Sequence, residues 1–329
     1  MTPDSTPETE SELRKRLPFA KGWPVLAGAL VGVLVRLVFL GKPGGAFAPM
    51  GMAFVFFVPL AVGAITVYLA ERTARRSVGY YIVSAALANA LFVVGTLIIL
   101  IEGLICAIVI VPVFAVYGSF GGLLMGAICR MTNWPKQATY SFAALPLLLG
   151  AIPTTALEDT SIRSVSRTVV VAAPPAHVWQ QLLNAKDMQP EEMERGWMYR
   201  IGVPTPEFAS TQTVNNDLVR EIKMGKNIRF EQHSNDWEQD KRVRWTYRFT
   251  DDSFPKGALD DHVTIGGRYF DVLDTTYTLS PTSAGTELRT EMTFRVTTEF
   301  NWYANHVGDA LVGNFAEVAL DFYKARSER

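Results

Sequence analysis

Residues 22 to 157 are overwhelmingly apolar, and this stretch restricts what the chain can fold into more than any motif does. Apolar surface on that scale has to leave water. The stretch divides into runs. Trp23 to Leu40 and Met50 to Ala70 are each long enough to cross a bilayer. Tyr80 to Ile128 is too long for one crossing and fits two, with the turn at Glu102-Gly103. Ala138 to Leu157 makes a fifth run, with Pro146 and Pro153 inside it; proline is tolerated in membrane helices. The expectation is an α-helical transmembrane bundle of about five helices. The leader before Trp23 is long and partly acidic, and no small-residue cleavage site follows, which argues against a cleaved signal peptide.

Positive charge between the runs orients them. Arg14, Lys15, Arg16 and Lys21 precede the first run, Lys42 alone follows it, Arg72, Arg75 and Arg76 follow the second, none lies at the Glu102 turn, and Arg130 and Lys136 follow the fourth. The alternation predicts a cytoplasmic N-terminus. Five crossings put the C-terminal half outside, in the periplasm if the membrane is a bacterial inner membrane. Four, with the Pro146 segment only dipping in, return it to the cytoplasm.

Arg36 and Glu102 are the charges read as intramembrane, both toward the predicted outer face, where they pair with each other or snorkel to the headgroups. The spans hold too few polar residues to line a transport pathway. Gly118, Gly122 and Gly126 recur every four residues, a spacing that brings helices close. It serves either packing within the bundle or a homo-oligomer contact through that face.

Residues 1–21 are rich in Thr, Ser, Pro and Glu and read as a disordered tail, 22–157 as the membrane domain, and 158–329 as a domain of ordinary soluble composition. A net charge of −1 gives no basis for a nucleic-acid partner. The two cysteines, Cys106 and Cys129, lie in the apolar half, too far apart along one helix to bridge.

After a linker from Glu158 to Ser166, Arg167 to Ala172 is a β-branched strand. Pro174-Pro175 then opens a helix with Val178, Trp179, Leu182 and Leu183 on one face, and a second helical segment covers Pro190 to Tyr199. Beyond it the period changes to two. Val243, Trp245, Tyr247 and Phe249 alternate against Arg242, Arg244, Thr246 and Arg248; Leu288, Thr290, Met292, Phe294 and Val296 alternate against Glu287, Arg289, Glu291, Thr293 and Arg295. This is an antiparallel sheet with one dry and one wet face. Further strands lie at Leu218 to Met224, Ile228 to His233 and Tyr269 to Leu279, with a turn at Pro281 to Gly285. From Phe300 to Arg329 a long helix carries an apolar stripe of Ala304, Val307, Leu311, Phe315, Val318 and Phe322, with Lys324, Arg326 and Arg329 at its end.

The order strand, two helices, a run of strands and a long helix resembles the START-like or SRPBCC superfamily, which includes polyketide cyclase/dehydrase-type and lipid-transfer members. VVVAAPPAHVWQQLLN, YTLSPTSAGTELRTEMTFRV and the closing helix carry the resemblance, over residues 163 to 327. It implies an α+β helix-grip fold, an antiparallel sheet wrapped around a long C-terminal helix, with an apolar cavity between them that takes an apolar or amphipathic small molecule. Fusion to a membrane domain departs from the soluble members.

The dry face offers Phe230, Trp245, Tyr247, Phe249, Tyr277, Met292 and Phe294, which serve as plain core or as the lining of the implied cavity. Tyr and Trp there need partners for their polar tips, which a ligand can supply. Trp302 and His306, in the first turns of the closing helix, join them at its expected mouth; Trp302 and Tyr303 also suit a membrane interface. His306 and Asp309 are three apart and can hydrogen-bond as an acid–base unit, or simply be solvated. His262 sits in the longest irregular stretch of the domain, DDSFPKGALDDHVTIGGRYF, a candidate lid or binding loop. No Ser or Cys nucleophile motif accompanies them. The spacing of His233, His262 and His306 matches no zinc pattern and no cysteine joins them, so neither metal nor cofactor is expected. Three readings follow. One is a membrane-anchored domain binding a lipophilic molecule drawn from the lipid bilayer. Another is a cyclase- or dehydratase-type enzyme on such a ligand, with His306, Asp309, His262 or Tyr277 moving protons. A membrane interaction module without catalysis is a third.

Overall fold

In the apolar half the backbone satisfies its own N–H and C=O groups by forming helices. The computed structural model describes residues 22–153, 159–259 and 264–329. The expected disordered tail, the 154–158 junction, and His262 with Asp260 and Asp261 lie outside the described residues. The chain divides into two compact units.

The first is helical: α1 (Trp23–Arg36), α2 (Val58–Thr73, entered through a π-helical turn at Ala53–Phe57), α3 (Val78–Ile98), α4 (Leu104–Met131) and α5 (Lys136–Gly150). Pro24 and Pro59 stand in the first turns of α1 and α2, where a missing N–H costs nothing. Ser77 caps α3 by accepting from the Tyr80 N–H at 3.2 Å. Three helices are long and apolar enough to cross a membrane: Ala53–Thr73, Val78–Ile98 and Leu104–Met131. The first and fifth runs form helices of only 14 and 15 residues, short of the roughly 20 that a crossing needs.

Small residues set the packing of this unit. A Cβ at Gly63 would lie 1.9 Å from the Gly118 carbonyl oxygen, and one at Gly121 2.1 Å from that of Leu60. The Gly118, Gly122 and Gly126 face, the candidate oligomer contact, is filled by Asn89, Ala85 and Tyr81 of the same chain. These glycines bring α4 onto α3 within the chain. Glu71, which the sequence reading passed over, is wholly buried and accepts from Tyr81 Oη (2.7 Å), Arg75 Nη1 (3.0 Å) and the Arg76 N–H (2.8 Å). Arg36 is also buried, with Nη1 donating to the Phe39 carbonyl and the guanidinium 5.5 Å from the Phe54 ring centre.

The second unit is a seven-stranded antiparallel sheet with helices on one side. Its elements are β1 (Asp159–Val171), α6 (Pro175–Leu183), a 3₁₀ turn (Pro190–Glu192), α7 (Trp197–Arg200), β2 (Pro206–Val214), β3 (Asp217–Met224), β4 (Ile228–Glu238), β5 (Arg242–Arg248), β6 (Phe270–Thr282), β7 (Gly285–Thr298) and α8 (Asn301–Ser327). The order across the sheet is β1-β7-β6-β5-β4-β3-β2, so the first strand returns to pair with the last. Thr286, Leu288, Thr290, Met292, Phe294, Val296 and Thr298 are buried along β7. The period-two reading of that strand holds over its full length.

Three expectations need correction. The linker from Glu158 to Ser166 is strand from Asp159 on, paired residue by residue from Asp159↔Thr298 to Val171↔Thr286. Its sequence alternates poorly because it is an edge strand; the long β7 supplies the ladder. Strand β2 was missed because it buries one side chain, Ala209, along its length. On α8 the most buried line runs through Gly308, Val312, Ala316, Ala319 and Tyr323; of the expected stripe Val318 and Phe322 are buried, while Ala304, Val307, Leu311 and Phe315 are half-buried flanks. A helix docks on its small residues: a Cβ at Gly308 would lie 2.8 Å from the Phe294 ring, and one at Gly313 2.6 Å from the Arg167 guanidinium. Apolar counting selects the large residues beside that line.

Candidate functional site

The inner face of the sheet and the buried line of α8 meet over an interior built of two parts. One is aromatic. Phe230 on β4 and Tyr247 and Phe249 at the end of β5 cluster with ring centres 5.5–6.2 Å apart, and Phe254 lies 5.3 Å from Phe249. Gly266, at φ +77°, lies against the Phe249 ring, and its N–H donates to Asp271 Oδ1 at 2.8 Å. Burial raises the Asp271 carboxyl above its ordinary range. Only glycine fits there, since a Cβ would stand 2.6 Å from the ring.

The other part is polar and deep. Strand β3 points Leu218, Arg220, Ile222 and Met224 inward. Arg220 is 4% exposed. Its Nη2 donates to Tyr323 Oη on α8 at 2.9 Å, its Nη1 reaches Gln232 Oε1 on β4 only at 3.4 Å, and its guanidinium carbon lies 5.7 Å from the Trp245 ring centre. Tyr277 and Tyr323 meet edge to face at 5.8 Å. Tyr247 Oη and Thr275 Oγ1 are 2.7 Å apart. Buried polar atoms here without a protein partner include Arg220 Nε, Trp245 Nε1 and Tyr199 Oη. Taking a cation out of water costs several kcal/mol. A desolvated cation–π contact returns about 2 and a hydrogen bond to a charged group about 1.5–3. These returns are of the same order as the cost, and what the protein leaves unmet is the N–H at Arg220 Nε.

Burial sets the tyrosine chemistry. It pushes the Tyr247 hydroxyl up to about 12, against the opposing hydrogen bonds from Thr275 and Gln232. It raises Tyr199 and Tyr277 as well, with Tyr323 adding to both. At neutral pH these groups are protonated phenols, which donate hydrogen bonds and do not act as bases.

Of the residues singled out from the sequence, Trp245, Tyr247, Phe249, Tyr277, Met292 and Phe294 all project to this interior side of the sheet. Met292 and Phe294 pack with Val312 and Ala316. Trp302 is 60% exposed and His306 is exposed, so neither joins them. His306 Nδ1 lies 2.8 Å from the Trp302 carbonyl, one helical turn back. Asp309 instead accepts from Arg163 of β1, through Nε at 3.2 Å and Nη2 at 2.5 Å. Of the two alternatives at His306 and Asp309, the acid–base unit therefore does not form, because a two-pronged guanidinium outcompetes an imidazole for the carboxylate. His233 is on the outer face, its Nε2 2.7 Å from Glu231 Oε2. Among the described residues no cluster of His, Cys, Asp and Glu can hold a metal. Sequence reasoning missed Arg220, Gln232, Tyr199 and Tyr323. For the first two the signal was present, since strand parity already put Arg220 in line with Leu218 and Ile222, and Gln232 with Ile228 and Phe230.

No protein-family description matches this sequence, and no curated protein does. Similar solved structures exist. The ZhuI aromatase/cyclase from Streptomyces sp. R1128 is 16% identical, matching 51% of this chain and 95% of its own, with a TM-score of 0.33. The di-domain aromatase/cyclase BexL from the BE-7585A biosynthetic pathway is 14% identical, matching 64% of this chain and 61% of its own, with a TM-score of 0.32. Protein CV1439 from Chromobacterium violaceum is 18% identical, matching 50% and 97%, with a TM-score of 0.29. Likeness at this level transfers no residue role and no activity. The seven-stranded antiparallel sheet with its C-terminal helix is itself consistent with a helix-grip fold.

Proposed function

We propose that this chain is a membrane-anchored helix-grip domain that binds a lipophilic or amphipathic small molecule in the interior between its sheet and α8. The observation that carries this reading is the unfinished interior: an aromatic cluster of Phe230, Tyr247 and Phe249 beside buried polar atoms on Arg220, Trp245 and Tyr199 that no protein group satisfies. Buried polar atoms in folded proteins are nearly always paired, and a bound molecule is one means of pairing them. The helical unit supports anchoring. It turns large apolar side chains outward, among them Leu26, Leu30, Leu34, Val83, Leu87 and Phe120. Exposed apolar surface of that extent belongs in lipid. In this reading the anchor keeps the domain beside the bilayer from which its ligand partitions. Three helices are long enough to cross. The sheet domain faces away from the cytoplasm if α1 and α5, of 14 and 15 residues, complete two further crossings; the basic loops at 72–76 and 130–136 return it to the cytoplasmic side if they do not.

Native mass spectrometry of the full chain, released from its own membranes in mild detergent, tests the binding. The expected spectrum has a retained adduct of lipid-like mass that is lost on delipidation. A chain that carries no adduct and takes up none from a lipid extract refutes the reading. A C-terminal reporter active only outside the cytoplasm tests the topology; silence there returns the domain to the cytoplasmic side.

A further inference from the structure

The binding reading leaves the charge of the bound molecule open, and the interior supplies an answer. Resting on that reading, we propose that the ligand is anionic, a carboxylate-headed amphiphile, and that Arg220 seats its head. Several ion-paired arginines of the domain show why. Arg163 pairs with Asp309, Arg167 with Glu317, Arg242 with Asp236, Arg244 with Asp274 and Arg326 with Glu192. Arg220 is buried more deeply than any of them, yet among the described residues no carboxylate pairs with it; its partners are the neutral Tyr323 and Gln232. A charge in this position is conventionally matched by an opposite one. Here the match is missing where it matters most.

The neighbouring groups point the same way. Arg220 Nε and Trp245 Nε1 can only donate, and both are unused. The Tyr199 hydroxyl is also unused and stays protonated. The complement of a cation among donors is an acceptor with one negative charge. A carboxylate has that charge and two oxygens to share between donors. A phosphomonoester would bring excess negative charge to one guanidinium, and an alcohol or ester would leave the guanidinium uncompensated. Beside the cluster, Phe230, Tyr247 and Phe249 offer a wall to an apolar body.

The test uses the full chain in lipid nanodiscs with two polyene probes of one length, cis-parinaric acid and the neutral cis-parinaryl alcohol. Energy transfer from tryptophan is read above that of empty nanodiscs. The expected result is that the acid binds about tenfold or more tightly than the alcohol. Arg220→Met should abolish that preference and leave alcohol binding in place, while Arg220→Lys, which keeps the charge, should retain part of it. Equal binding of acid and alcohol by the natural chain overturns the proposal and leaves the binding reading standing. Binding of neither probe overturns both. A preference that survives in Arg220→Met overturns the role of Arg220. If that variant fails to fold, Arg220→Gln takes its place, and the acid-to-alcohol ratio of the natural chain still decides the charge of the ligand.

Discussion

The two units present opposite surfaces around their cores. In the helical unit small and polar side chains, Gly28, Gly63, Gly118, Ser84, Asn89 and Glu71, share the interior with a cluster of Phe39, Phe54, Phe92 and Phe114, while Leu26, Leu30 and Leu34 of α1 and Leu87 of α3 stand outside. In the sheet unit Trp245, Leu288 and Phe294 are inside, and arginines and glutamates cover the outer face. The first arrangement suits a solvent as apolar as leucine, where helices associate by close backbone approach. The second suits water, where burial of large side chains drives folding. Both units bury aromatic side chains; they differ in what stands outside, leucines on one and charged residues on the other. A buried charge also means different things in the two units: Glu71 is fully bonded by three donors, whereas Arg220 is not.

Substitutions can break this comparison. The largest effect is expected at Gly63→Leu, where even a Cβ would stand 1.9 Å from a backbone oxygen. The helical unit should lose more than about 4 kcal/mol or fail to assemble, and detergent-solubilised yield with helical circular dichroism reads this out. Next is Leu288→Ala in the sheet core, with a loss of about 2–5 kcal/mol in denaturant unfolding. Alkaline pH sharpens the picture. Tyr247 has its hydroxyl raised in the folded state, so its stabilising contribution is complete below pH ~10 and is lost as pH rises toward about 12. Tyr247→Phe should flatten that part of the stability profile. A smaller effect is expected at Glu192, which Arg326 holds below the usual carboxylate range at 2.6 Å. Its contribution, about 1 kcal/mol, is present above the unfolded pKa and lost as pH falls through the folded one. Glu192→Gln should remove that acid-side slope. The smallest is Leu30→Ala. Leu30 is 59% exposed, and in detergent the change should cost under about 0.5 kcal/mol, against the several expected for the same change at Leu288. Equal costs at the two leucines would refute the outward placement of the α1 leucines.

Much of the fold was legible because its signals are local. Runs of apolar residues gave the helices, and alternation gave β5 and β7 with their faces. Weakly alternating strands were not legible. Asp159–Ser166 and Pro206–Val214 are strands because their neighbours offer a ladder, and a ladder is a long-range fact. The candidate site divides in the same way. Trp245, Tyr247 and Tyr277 could be chosen by parity and residue type, whereas His306 could not be rejected until the rotation of α8 was known.

Sequence alone determined the division into an apolar helical half and an alternating sheet half, since hydrophobic periodicity is written residue by residue. Tertiary structure decided which line of α8 meets the sheet, that Asp309 belongs to Arg163, and that Arg220, Trp245, Tyr199 and Tyr323 converge. Those four residues come from β3, β5, α7 and α8. No spacing along the chain records their proximity; it follows from strand order and from the depth to which the small residues of α8 let the helix settle.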